Sequence, residues 1–263
     1  MAMIKKQDGP AWDLYWNSAR SGDSEGLREA LRLGADPDWT SPNKDGTGLH
    51  VAVSQGHLEC VEILAPISDC RVAAGVRAMT PLALAAAYGR DDCVRELLPR
   101  SNPGDRNSYG ATAFMLAVEE GQLGAARLLF PSANLSHRNG LRQSALMLAA
   151  GEAVPGAVEL ILSKSKESSE EALDVAMMRD HGDRVGEAKQ CAMLILEKMG
   201  SADWVLDIAK EAEAKARAAE RHEMASFAAA WILSKEERLA MAQAMPEQGS
   251  AGSSSGRSKR GRL

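Results

Sequence analysis

Apolar and polar positions along this chain fall into short blocks, and the blocks recur at a nearly constant interval. Thr47, Thr80, Thr112 and Ser144 lie 33, 32 and 32 residues apart, and each is followed by a short apolar run. Apolar positions that keep the interval are Leu49, Leu82, Phe114 and Leu146, then Leu64, Leu97, Leu129 and Ile161. A repeat of this length predicts a stack of similar helical units that share one extended core.

The third unit shows how each block folds. Thr80 suits the residue that caps a helix, and Pro81 suits the first helical position, where a missing N–H costs nothing. A short apolar helix follows, and Gly89 suits its left-handed end. A second helix, DDCVRELL at residues 91–98, carries apolar residues at i, i+1, i+4 and i+5. Helices this short bury their apolar faces only against neighbouring units.

These residues carry a resemblance to a known family. TGLHVAVSQGHLECVEIL at 47–64, TPLALAAAYGRDDCVRELL at 80–98 and ALRLGADPD at 30–38 resemble ankyrin repeats. Five units fit between residues 12 and 166, and a divergent sixth extends to residue 200. The resemblance implies an all-α protein, an α-solenoid of stacked helix pairs joined by hairpin connectors.

Several positions depart from the repeat pattern. Only Thr80 and Pro81 keep the Thr-Pro pair, and Ala153 stands where the turn glycine is expected. Pro155 follows near the start of the fifth unit's second helix, and the connector 66–79 lacks the Gly-Ala-Asp pattern. We therefore expect an array that is less uniform and less stable than one of consensus repeats.

The pattern changes after Gly200. Residues 201–233 have no helix breaker and predict one long helix, while Ser234 and Glu237 stand at capping-box spacing and predict a second, short one. One apolar stripe of this extension (Trp204, Ile208, Ala212) is expected to cap the array. A second patch (Met224, Phe227, Trp231) is expected to pack within the chain or to pair with another chain. The predicted divisions are an N-terminal segment 1–11, an array 12–200, a helical extension 201–245 and a disordered Gly/Ser-rich basic tail 246–263.

Composition and charge limit the function classes. The formal net charge of −5 gives no general attraction to nucleic acid. The concentrated basic stretch is GRSKRGRL at residues 256–263, which is either a patch for nuclear import or an anionic partner, or a solubilising disordered end. The first thirteen residues lack the apolar core of a secretory signal, and no apolar run reaches ~20 residues. We expect a cytoplasmic or nuclear protein with reduced cysteines and no membrane contact.

Three short motifs contain residue types that occur in metal-binding or catalytic sites. His50, His57 and Cys60 suggest metal ligands, but the repeat frame places the histidines at structural positions and Cys60 in an apolar slot. GDSEG around Ser24 matches a nucleophile motif but lacks the preceding strand that a nucleophile elbow requires. RDHGD, with Asp180, His181 and Asp183, has no supporting residues elsewhere. We expect no catalytic residue, no cofactor and no metal, with an enzyme site in 167–245 as a minor alternative.

The resemblance implies protein–protein recognition by the concave face of the array. Residues that vary between units just before the turn glycine are expected to line that face: Arg20, Ser21, Ser54, Gln55, Ala87, Tyr88, Glu119, Glu120, Gly151 and Glu152. From the hairpins we add Trp39, Arg77, Met79 and Tyr109. Because these positions run from arginine and serine to glutamate, the later units are expected to prefer a basic segment of a partner.

Two alternatives remain open at the level of the sequence. Trp39 is either a partner contact at the rim or a residue that packs onto the N-terminal cap beside Trp12 or Trp16. The chain is expected to be a monomeric adaptor, or else a structural protein that assembles through its C-terminal helix.

Overall fold

The computed structural model describes residues 10–40, 46–164, 170–179, 181–200 and 203–244. Within these ranges the chain is a series of α-helices without a named β-strand. The helices are α1 Pro10–Ser21, α2 Ser24–Arg32, α3 Gly48–Gln55, α4 Leu58–Leu64, α5 Pro81–Ala87, α6 Asp91–Leu97, α7 Ala113–Glu119, α8 Leu123–Leu129, α9 Ala145–Gly151, α10 Pro155–Leu162, α11 Glu170–Met178, α12 Val185–Met199, α13 Asp203–Ala218 and α14 His222–Ala244. Short 3₁₀ turns occupy Leu98–Arg100, Phe130–Ser132 and Gly182–Arg184.

The helices form seven antiparallel pairs that stack in chain order. Each odd-numbered helix from α1 to α13 packs on the next odd-numbered helix, and each even-numbered helix packs on the next even-numbered one. The predicted all-α repeat solenoid is therefore confirmed. We call α1 with α2 the first unit, and the remaining pairs follow in order to α13 with α14 as the seventh.

The helix starts follow the local chemistry that the sequence predicts. The side-chain oxygens of Thr80, Thr112 and Ser144 accept the backbone N–H of the residue three positions later, at 3.3, 3.4 and 3.3 Å. Each bond satisfies a backbone donor that has no partner inside the helix. The apolar positions at the repeat interval then point into the shared core, where Leu64 and Leu97 are fully buried.

The connectors between the units are hairpins that lean on one another. Ala74 and Met79 exchange two backbone hydrogen bonds of 2.9 Å, so the connector that lacks the Gly-Ala-Asp pattern still forms a hairpin. The next hairpin joins it, because Ser108 donates its N–H to the carbonyl of Arg77 at 2.9 Å. Gly140 donates in the same way to Tyr109 at 2.8 Å. This ladder fixes the spacing of the hairpin tips along the stack.

A common turn joins the two helices of a unit. In the third unit Gly89 has φ +62°, and the N–H of the next residue, Arg90, donates to the carbonyl of Ala85 at 2.9 Å. In the fifth unit Ala153 takes this place with φ +51°, and the N–H of Val154 donates to Ala149 at 2.9 Å. The geometry is the Schellman helix end, which favours a left-handed residue. Ala153 therefore adopts the glycine conformation because the stacking of α9 and α10 requires the turn.

The C-terminal extension differs from the sequence prediction in two respects. The predicted single helix is broken after Ala218, where Glu220 has φ +59° and the N–H of Arg221 donates to Ala216 at 2.8 Å. The predicted new helix at Ser234 is also wrong, because α14 runs without interruption from His222 to Ala244. The break lets α13 and α14 fold back on each other, which buries Ala212 and Met224 and leaves Ile208, Phe227 and Trp231 half-buried against the core. The turn at Glu220 repeats the helix end seen in the units before it.

The seventh unit packs on the sixth as each unit packs on its neighbour. α13 contacts α11 and α14 contacts α12. Met224 is buried, and Phe227 and Trp231 are half-buried and contact the core, so the second patch packs within the chain. The charged stretch 210–223 does not project, because Lys215 forms an ion pair of 2.7 Å with Asp174 on α11. The side chain of Trp204 and residues 246–263 lie outside the described part of the chain.

Candidate binding groove

A groove runs across the first three units, between the ends of α1, α3 and α5 and the hairpin that precedes α5. Its volume is about 600 Å³. Six of the residues predicted to bind a partner line it: Arg20, Ser54, Gln55, Arg77, Met79 and Tyr88. The structure thus brings residues 68 positions apart in the chain to one surface. We call this feature the N-terminal groove.

The walls of the N-terminal groove are largely apolar. Trp16, Val51, Val76 and Leu84 line it beside Met79 and the ring of Tyr88. Val76 at the hairpin tip is 94% exposed and Tyr88 is 52% exposed. No aspartate or glutamate belongs to the lining within the described ranges. The repeat pattern did not predict these four apolar residues as binding residues. The signal for Val76 was its place between Gly75 and Arg77 in a connector, where an apolar side chain has no core to enter.

The floor of the N-terminal groove is held by His50. The N–H of Thr47 donates to Nδ1 of His50 at 3.2 Å, which leaves Nε2 as the protonated nitrogen that donates to the carbonyl of Met79 at 3.2 Å. His50 therefore ties the start of α3 to the next hairpin. Burial lowers the pKa of His50, because the imidazolium would lose its hydration there. This arrangement agrees with the structural role inferred from the repeat frame.

A cluster of charges lies beyond the groove, at the end of α7. Arg77 donates to Glu119 at 3.0 Å and to Glu120 at 3.3 Å. The guanidinium of Arg77 also lies 5.9 Å from the centre of the Tyr109 ring. The two glutamates, which the sequence predicts to bind a basic partner, thus already form ion pairs with an arginine of the same chain.

The fifth unit contributes less than the sequence predicts. Gly151 is buried beneath α11, where an added Cβ would lie 3.0 Å from Val175. Ala87, which ends α5 in the third unit, is buried as well. Neither residue presents a side chain to a partner. Glu152 is half-buried and forms an ion pair of 2.7 Å with Arg179.

Trp39 packs onto the first helix. Its ring centre lies 5.3 Å from that of Trp12 and 5.8 Å from that of Trp16. Tyr15 lies beneath and donates its hydroxyl to the carbonyl of Pro37 at 3.0 Å. Of the two roles considered for Trp39, the structure shows the packing role, and the side chain is only half-buried. Ser21 is exposed at the end of α1.

The remaining candidate motifs have structural contacts. Nε2 of His57 bonds to the carbonyl of Arg20 at 2.9 Å, and Cys60 is fully buried. Ser24 begins α2 directly after Asp23, whose carboxylate accepts the N–H of Gly26 at 2.9 Å. Nε2 of His181 bonds to the carbonyl of Ala176 at 2.9 Å, while Asp180 lies outside the described residues.

The cysteines and the possible ligand groups show no reactive arrangement in the described ranges. All four cysteines are buried and unpaired, and burial raises the pKa of the Cys191 thiol to about 12. Among the described residues no three side chains of His, Cys, Asp or Glu are grouped to hold a metal ion. None of the described helices is both long and apolar enough to cross a membrane.

Comparison with known proteins identifies the family. A family model described as ankyrin repeats, present in 3 copies, matches residues 15–104 and 67–139. No curated protein matches the chain. The matched residues begin within α1, extend through the fourth unit and include every lining residue of the N-terminal groove. The later units continue the same stack of helix pairs beyond the matched region. The chain is therefore an ankyrin repeat protein.

Proposed function

We propose that this protein is a non-catalytic protein–protein interaction module that holds its partner in the N-terminal groove and against the neighbouring hairpin tips. Ankyrin repeats are in general modules for protein–protein interaction. The observation that carries the proposal is the groove of about 600 Å³, whose lining includes the exposed Val76 and Tyr88. Apolar surface of this kind on a protein marks a site of interaction.

The groove is rigid, which favours binding. Its walls are helix ends and a hairpin that are fixed by the core and by the bonds of His50. A partner that enters loses its own freedom but imposes little ordering on the protein. The proposed role is that of an adaptor, scaffold or regulatory binder that acts as a monomer in the cytoplasm or nucleus.

The glutamates by which the later units are proposed to bind a basic segment already form ion pairs within the protein. A basic partner at Glu119 and Glu120 has to displace Arg77, and one at Glu152 has to displace Arg179. These contacts make the later units a secondary surface. The alternative of assembly through the C-terminal helix loses support, because Met224 and Ala228 are buried within the chain.

Affinity capture with matched variants tests the proposal. The full chain, Tyr88→Ala, Ser54→Trp and Arg127→Glu are used as baits, and captured proteins are quantified by mass spectrometry. Tyr88→Ala removes an exposed wall of the groove, Ser54→Trp fills its centre, and Arg127 is an exposed residue of α8 away from the groove lining. A partner that Arg127→Glu retains and both groove variants lose supports the proposal. Equal capture by all four baits refutes it.

A further inference from the structure

We infer that the N-terminal groove binds a short segment of a partner protein that carries a bulky apolar side chain and, on the side of Arg20, a carboxylate. This inference rests on the proposed function and adds the chemistry of the bound segment. It follows from three features of the groove, namely its apolar walls, the separation of its two arginines and its length.

The apolar walls select the central side chain. Trp16, Val76, Met79 and Tyr88 come from three different elements and converge on one cavity. Val76 is 94% exposed although it is aliphatic, and it stands next to the half-buried Met79. A leucine, isoleucine, phenylalanine or tryptophan of the partner covers these surfaces and removes them from water. A polar side chain gains no such burial.

The two arginines of the lining differ in their partners. Arg77 is bound by Glu119 and Glu120, so its positive charge is compensated within the protein. Arg20 is exposed, and its guanidinium has no ion-pair partner within the described ranges. Among the residues that the structure describes, the lining there contains no acidic side chain. The groove is therefore positive at the α1 end and becomes negative beyond α5, which favours a carboxylate beside Arg20.

The length of the groove indicates a peptide segment. Packed helices lie 8–10 Å apart, so the ends of α1 and α5 are separated by roughly 20 Å across α3. An extended chain rises about 3.3 Å per residue and spans this distance with about six residues. The occupant is thus a segment of another protein, acidic toward α1.

Selection from an unbiased peptide library tests the inference. Random twelve-residue peptides displayed on phage are selected on the full chain, and the enriched sequences are read. The most enriched peptide is then synthesised with a fluorescent label. Its Kd is measured by anisotropy against the wild type, Arg20→Glu, Tyr88→Ala and the surface control Arg127→Glu. Thermal unfolding of each variant checks that it is folded.

The expected result has three parts. Enriched peptides contain a bulky apolar residue with aspartate or glutamate nearby. Arg20→Glu and Tyr88→Ala each weaken binding by about tenfold or more, while Arg127→Glu leaves it unchanged. Replacing the peptide's carboxylates by amides removes the difference between the wild type and Arg20→Glu.

The contrary results separate the inference from the proposed function. The inference is overturned if the enriched peptides are neutral or basic. It is also overturned if their affinity is unchanged by Arg20→Glu and reduced by Tyr88→Ala, and in that case the groove remains the binding site. If Tyr88→Ala also leaves the affinity of the peptides unchanged, both the inference and the proposed function are overturned. If no peptide is enriched, the inference of a short bound segment fails, and the affinity capture above decides the proposed function by itself.

Discussion

Arg77 and Glu119 are 42 residues apart in the chain, yet the guanidinium of the first donates to the carboxylate of the second at 3.0 Å. Arg77 belongs to the hairpin before α5, and Glu119 ends α7. The pair therefore links the third unit to the fourth on the surface proposed for binding. It also competes with any basic partner for the same carboxylates.

Replacing Arg77 is expected to change the stability of the protein little and to change its affinity for a basic peptide. Both side chains are about one-third exposed, so Arg77→Gln should change the free energy of unfolding by less than about 1 kcal/mol. The same change should strengthen binding of an oligolysine peptide, because Glu119 and Glu120 lose their internal partner. Denaturant unfolding and fluorescence anisotropy measure the two effects. The gain should vanish when Glu119→Gln and Glu120→Gln are added, and a gain that persists would show that oligolysine binds elsewhere.

The core of the stack is expected to respond much more strongly than this surface. Leu97 is fully buried between neighbouring units, and Leu97→Ala should cost about 2–5 kcal/mol of unfolding free energy. Glu119→Ala, the surface comparison, should cost less than about 1 kcal/mol. Urea denaturation followed by circular dichroism measures both. Similar losses from the two variants would contradict the assignment of the helix faces.

The sequence predicted the features that repeat and missed those that depend on one particular contact. Thr80 and Leu97 were predictable because each recurs at a fixed interval, and capping and burial follow directly from that pattern. The ion pair of Arg77 was not, because it depends on how far a hairpin leans toward the next unit. The exposed Val76 was missed because connector residues vary and carry no periodic signal. The stack of helices and about half of the groove lining could thus be predicted from the sequence, and the ion pairs of Arg77 could not.

The break at Glu220 was unpredictable for a related reason. Glutamate favours helices, and its left-handed conformation at φ +59° is imposed by the packing of α13 and α14 on the sixth unit. The burial of the two helices overrode the local preference of Glu220. The same is true of Ala153 in the fifth unit.

That conformation makes Glu220→Gly an expected stabilising change. Glycine adopts positive φ without the steric cost of a Cβ, so the gain should reach up to about 1 kcal/mol. Ala214→Gly, inside α13 and one turn before its end, is the matched control and should instead cost about 1 kcal/mol. Thermal unfolding compares the two substitutions. If both destabilise the protein equally, Glu220 is not in the left-handed turn.

His50 is expected to make stability depend on pH. Burial lowers its pKa in the folded state below the usual value of about 6.5, so below that pH the unfolded chain takes up a proton that the folded chain resists. The contribution of His50 is therefore fully present above pH 7 and is lost as the pH falls toward 5. His50→Gln keeps a side chain suited to the capping box of Thr47 but does not titrate. Unfolding free energies measured from pH 7.5 to 5 should fall more steeply for the wild type than for the variant, and parallel curves would refute the assignment.

The seventh unit is expected to cap the array, since the last unit of a stack otherwise leaves an apolar face uncovered. Val205, Ala209 and Met224 are buried where α13 and α14 cover α11 and α12. Ion pairs of 2.7 Å and 2.8 Å, from Lys215 to Asp174 and from Lys189 to Glu223, hold the same boundary.

Deleting residues 201–263 should therefore expose the sixth unit. The truncated chain should melt at a lower temperature and bind more of a hydrophobic dye such as anilinonaphthalene sulfonate. Deleting only residues 246–263 is the control and should change neither property, because it leaves α13 and α14 in place. Light scattering during the melt shows whether the exposed face causes association. A truncated protein that melts with the full chain and stays monomeric would mean that α11 and α12 are stable without a cap. The seventh unit would then have to be explained by a contact with a partner.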